Sequence, residues 1–169
     1  MRSMHIIIQS TLKTLQKAQV LLDHLSDAEW CDASVPPYYS SIGTHIRHIL
    51  DFYDCILNIN TQNQVDLTAR CRNKAVETHS VNAEHYLKQI VNRLKSMPLN
   101  ANHLVVVIDD LGLGKTKIPY TCGALLAQAN SHAIHHYAII NYIFNSLGIV
   151  IKDGEFGYNP TSPRDTQNK

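Results

Sequence analysis

The chain has 169 residues, 44% hydrophobic and 17% charged, with a formal net charge of +1. That length and balance suit a single globular domain over residues 1–169 and exclude a disordered chain. The near-zero charge argues against a nucleic-acid partner, and no apolar run approaches the roughly 18 residues of a membrane span. Cys31, Cys55, Cys71 and Cys122 form no C-x-x-C pair and read as free thiols. The opening "MRSMHIIIQSTLKTLQ" has too short an apolar run for a signal peptide, so the expected compartment is the cytoplasm.

A first helix is expected from Met4 to Leu25. Ile8, Leu12, Leu15, Leu22 and Leu25 make one apolar stripe, with Ser3 as N-cap. "WCDASVPPYYSS" breaks it at Pro36 and Pro37, and Ser40 or Ser41 caps the next helix, "IGTHIRHILDFYDCILNI". Residues 60–79 show no sustained period and read as a long polar connection. A third helix starts near Ser80, carries Ala83, Leu87, Ile90, Val91 and Leu94 on one face, and closes at "SMP", 96–98. "HLVVVIDDLGLGKTKIPYT" has β-branched residues, then a glycine-bearing turn, and reads as a small hairpin. The fourth helix runs from near Thr121 to Leu147, where Gly148 is a natural stop, and a loop follows over 149–169. The expected fold is therefore all-α: a four-helix bundle over about 4–148, with long crossover connections and the hairpin as an ornament before the last helix.

"GLGKT" at 112–116 resembles a phosphate loop only superficially. The pattern needs a glycine where Asp109 stands, and Pro119 interrupts any helix that would follow.

The chemistry lies in "ANSHAIHHYAIINYIFNSL", 129–147. With Leu125 at 0° and about 100° per residue, Ala129, Ile140, Ile143 and Leu147 form a core stripe. His132 falls at about 340° and His136 at about 20°, inside that stripe, and His135 at about 280°, on its flank. Buried imidazoles are unfavourable unless satisfied, and an i, i+4 pair presents two nitrogens that one metal ion can bridge. Two core histidines bonded to neighbouring carbonyls or hydroxyls are the plainer alternative. A third ligand has to come from the second helix, which offers His45 and His48 on one flank with Phe52 between them. The helical angles favour His45 slightly. His85 faces solvent, and His5, His24, His79 and His103 receive no role.

The two histidine-bearing segments, "SSIGTHIRHILDFY" at 40–53 and "ANSHAIHHYAII" at 129–140, resemble the DinB-like family of metal-binding four-helix bundles. "FGYNPTSPR" at 156–164 is similar to the tail of an uncharacterised branch of it. In that family a histidine opening a short His-hydrophobic-x-acid run joins an H-x-x-x-H pair on the last helix. "HILD" fits that run, so the resemblance implies His48, His132 and His136 as metal ligands, with His45 as the alternative to His48.

The resemblance also implies a divalent metal. Three imidazoles suit zinc or nickel best, with iron as a further option, and leave positions open for a small-molecule substrate. Characterised relatives transfer low-molecular-weight thiols or isomerise maleylpyruvate with a thiol cofactor, so a metal-dependent transferase or hydrolase is expected. The other reading is a non-catalytic metal-binding bundle, a homodimer whose metal ties helices together. Each ligand is expected to donate its second ring N–H to a carbonyl or carboxylate. Asp51 is the candidate for His48, unless it pairs with Arg47 at i, i+4. His135 is a weak catalytic candidate as a proton shuttle, or else a rim residue. Tyr158 and Arg164 are candidates to cover the site mouth.

Overall fold

The computed structural model describes residues 4–163. In chain order the elements are α1 (Ile6–His24), α2 (Asp27–Cys31), α3 (Ile42–Leu57), β1 (Gln64–Asp66), α4 (Lys74–Thr78), α5 (Ser80–Ser96), β2 (Leu104–Asp110), β3 (Lys115–Thr121) and α6 (Cys122–Leu147). The four long helices stand where the apolar periodicity puts them. α1 and α3 each pack on both α5 and α6. No helix among the described residues is long and apolar enough to cross a membrane.

The all-α expectation is overturned. Among the described residues there are six helices and a three-stranded mixed sheet in the order β1-β2-β3, so the fold mixes α and β. β2 and β3 form the expected antiparallel hairpin, but it is no ornament. β1 pairs with β2 in parallel, Val65 opposite Val107, and Val65, Leu67, Val105 and Val107 enter the core. β1 arises within the stretch read as polar connection. Its three residues show one buried side chain between two half-buried ones, too short for periodicity to register. Its partner strand lies beyond α4 and α5, so only tertiary pairing reveals it.

Local chemistry sets the helix ends. Ser41 Oγ accepts the Thr44 amide at 3.1 Å to start α3, and Thr121 Oγ1 accepts the Ala124 amide at 3.1 Å to start α6. Gly148, at φ 69°, stops α6 in the left-handed region. Ser3, the expected cap of α1, lies outside the described residues. His5 caps that helix instead, its Nδ1 accepting the Ile7 amide at 3.2 Å.

The core face of α6 is wider than the expected stripe. Leu125, Ala129, Ile140 and Ile143 of that stripe are buried, Leu126, Ala133, Tyr137 and Phe144 extend it to one side, and His132 and His136 are half-buried at the other margin. Tyr137 lies at the far edge of the extension. Its ring is fully buried against Phe156 of the tail, and its hydroxyl donates to the Thr14 carbonyl at 3.1 Å. A polar tip that finds an acceptor makes tyrosine a core residue.

The first turn of α3 is seated through Gly43, which has no room for a side chain. A Cβ there would collide with the Glu77 carbonyl oxygen and the fully buried Trp30 ring. That ring is itself held by its Nε1 donating to the Val76 carbonyl at 3.0 Å. Gly43→Ala is expected to lower unfolding stability by about 1–3 kcal/mol, because overpacking against backbone outweighs the gain in helix propensity. Urea denaturation measures it, and a stabilised variant would contradict this packing.

Candidate metal centre

α3 and α6 lie side by side and bring histidines from both into one cluster. Polar contacts in the interior lock the two helices together. The Tyr53 hydroxyl donates to Asn130 Oδ1 at 2.8 Å, and Asn130 Nδ2 donates to Thr11 Oγ1 at 3.2 Å, which ties in α1. Within this frame His48, His132 and His136 each offer one nitrogen within 4.8 Å of the other two. Their ring centroids stand 4.9 Å (His48–His132), 4.7 Å (His48–His136) and 4.6 Å (His132–His136) apart. Phe52 stacks on His132 at 4.8 Å and walls one side.

Burial first, then the Arg70 guanidinium or the neighbouring imidazoles, holds all three imidazoles neutral. His48 is pushed down to about 3, by burial and then by the Arg70 guanidinium. His132 is pushed down to about 4 by the same two causes, with Asp109 opposing. His136 is pushed down to about 2 by burial and then by His132 and His48. Neutral imidazoles keep the lone pairs that a metal needs. His132 Nε2 is buried with no hydrogen-bond partner among the described residues. An orphaned buried nitrogen is unfavourable by about 1–3 kcal/mol, and a metal ion is one way to satisfy it.

His45, the alternative ligand, lies outside the triad and contacts it. Its Nδ1 is 2.8 Å from His136 Nδ1, and its Nε2 is 2.8 Å from Ser40 Oγ. One proton lies between the two Nδ1 atoms. If His136 carries it, His136 Nε2 keeps a lone pair, and His45 Nε2–H donates to Ser40. If His45 carries it, His136 Nε2 is protonated and unable to ligate. Only the first arrangement suits a metal, and in it a histidine takes the place expected of a carbonyl or carboxylate partner.

Asp51 is not the partner of His48. It accepts from Arg47 Nη1 at 2.9 Å, from the Arg72 amide at 3.2 Å and from the Tyr86 hydroxyl at 3.1 Å. His48 Nδ1 instead accepts from Arg70 Nη1 at 3.3 Å. Sequence reasoning misses Arg70 because it follows β1, inside the stretch read as connection. His135 is exposed, its centroid 5.4 Å from that of His136, at the rim. Tyr158 lines a cleft with Ser10, Thr14 and Ile134 between α1 and α6 and does not cover the triad. Arg164 lies outside the described residues.

Compared with protein-family models and with curated proteins, the chain has no significant match.

The lowered histidine values give a pH dependence with a definite sign. The unfolded chain takes up protons near pH 6.5, whereas the folded imidazoles resist to much lower pH. Their neutral burial therefore opposes folding only in acid. Stability of the metal-free protein is full above about pH 6.5 and falls as pH drops through that value. Melting in chelator at pH 7.5 and pH 5 is expected to show this loss. Paired His132→Gln and His136→Gln replacements should shrink it, and an unchanged slope would contradict the assignment.

Proposed function

We propose that the protein is a divalent-metal enzyme whose ion is held by His48, His132 and His136. The observation that carries the reading is the buried, unpartnered His132 Nε2 within a convergence of three neutral imidazoles from two helices. No carboxylate or thiolate belongs to that group among the described residues, and such an all-nitrogen set suits zinc or nickel, then iron. His45 is engaged with His136, so the described residues supply three ligands and leave the remaining positions to solvent or substrate. That openness favours an enzyme over a non-catalytic, metal-tied bundle.

A divalent ion there supplies Lewis acidity and lowers the pKa of a water or thiol that it binds. The chain's own residues do the rest. Phe52 walls the site, and His45 with Ser40 holds the His136 proton on Nδ1. Exposed His135 stands where a proton can pass to solvent. The resemblance to DinB-like proteins points to a low-molecular-weight thiol as co-substrate and to thiol transfer or hydrolysis as the reaction class. The four free cysteines accord with the reducing cytoplasm as its compartment.

Elemental analysis of protein purified without chelator or metal affinity tests the site. Near-stoichiometric metal is expected in the wild type and in His135→Ala, with loss in His132→Ala and His136→Ala. His45→Ala should bind metal about 10–100-fold more weakly, as loss of a ligand's hydrogen-bond partner does. A wild type that cannot be loaded with zinc, nickel or iron would sink the reading. Assays of the loaded protein with thiols plus electrophiles, and with esters and amides, then separate transfer from hydrolysis. No turnover in either leaves the non-catalytic bundle.

A further inference from the structure

Arg70 stands in an electrostatically awkward place. It is half-buried, makes no ion pair among the described residues, and donates to a histidine of the triad. The other arginine whose charge reaches His48, Arg47, is taken up by Asp51 and Glu77, at 2.9 Å each. Asp109 is the carboxylate whose charge reaches His132. It does not pair with Arg70, and its Oδ1 accepts the Asp110 amide at 2.9 Å.

Metal binding and the Arg70–His48 contact exclude one another. Arginine only donates, so the contact uses the Nδ1 lone pair of His48. If His48 ligates through Nδ1, that lone pair goes to the ion. If it ligates through Nε2, Nδ1 carries the proton and faces Arg70 N–H with N–H. Either way the guanidinium is displaced as the site gains two positive charges. It cannot go far, because Arg70 Nε donates to the Leu67 carbonyl at 2.9 Å. Leu67 is buried and bound through its own amide to the Ile108 carbonyl at 2.9 Å.

We propose that Arg70 is the anion-binding residue of the metal-loaded site and that the ligand it selects bears a carboxylate group. This rests on the metal reading of the triad. An ion, three neutral imidazoles and a released guanidinium form a cationic site that attracts an anion. One planar guanidinium matches the two oxygens of a carboxylate.

Cobalt-loaded protein gives a readout apart from activity, since anion binding perturbs its visible spectrum. Acetate should bind the wild type at least about tenfold more tightly than Arg70→Gln, with Arg70→Lys between them. Cobalt affinity of Arg70→Gln should equal or exceed that of the wild type, because a repelling charge is gone. Equal acetate affinity in wild type and Arg70→Gln would overturn the inference alone, and is the result expected if released Arg70 pairs with Asp109. Weaker cobalt binding by Arg70→Gln would make Arg70 a structural support and overturn it too. Phosphate binding more tightly than acetate, with the same dependence on Arg70, would overturn the carboxylate assignment. A wild type that takes up no cobalt overturns the metal reading and this inference together.

Discussion

The buried ion-pair network around Arg47 governs how α3 is rolled, and the histidine cluster depends on that roll. Arg47 reaches Asp51 on its own helix and Glu77 on α4, and Asp51 also accepts from Arg72 and from Tyr86 on α5. The Asp51 side chain is 0% exposed and that of Arg47 11%, so freeing either would strand a charge in the interior. The network lies roughly 110° around α3 from His45, His48 and Phe52. Holding one face of the helix to α4 and α5 therefore turns the other toward α6. Gly43 completes the seating by letting α3 approach Trp30 and the Glu77 carbonyl.

The pattern of the long helices is legible in the sequence because each carries an apolar period over several turns. The small elements are not. α2 and α4 have five residues each and β1 three, too few for a period to be seen. Arg70 and the further partners of Asp51, Arg72 and Tyr86, share one cause with the missed strand: they sit in or beside the segment 60–79, where residues look polar and solvated until β2 and α5 pack against them, whereas the Arg47–Asp51 pair is legible at i, i+4. Tyr137 shows a different limit. A helical wheel counts its hydroxyl as polar, and only the Thr14 carbonyl on another helix makes its burial favourable.

The histidines divide into distinct parts by contact. His48, His132 and His136 converge, His45 stands one hydrogen bond behind them, and His135 stays at the rim. Helical angles alone favour His45 over His48 only slightly, since both lie on one flank of α3. Tertiary contact separates them: Ser40 and His136 occupy both nitrogens of His45, whereas His48 meets the other two rings.

The parallel pairing of β1 with β2 has a consequence for where chemistry can gather. Parallel strands end on the same side, and in open α/β sheets ligands collect beyond the carboxyl ends of such strands. Here Arg70 follows the end of β1 and touches His48, while Asp109 lies at the end of β2 and its charge reaches His132. A mostly helical molecule thus borrows one edge of its site from a minimal βαβ-like crossover. The helices contribute neutral nitrogen, and the strand ends contribute the formal charges around it.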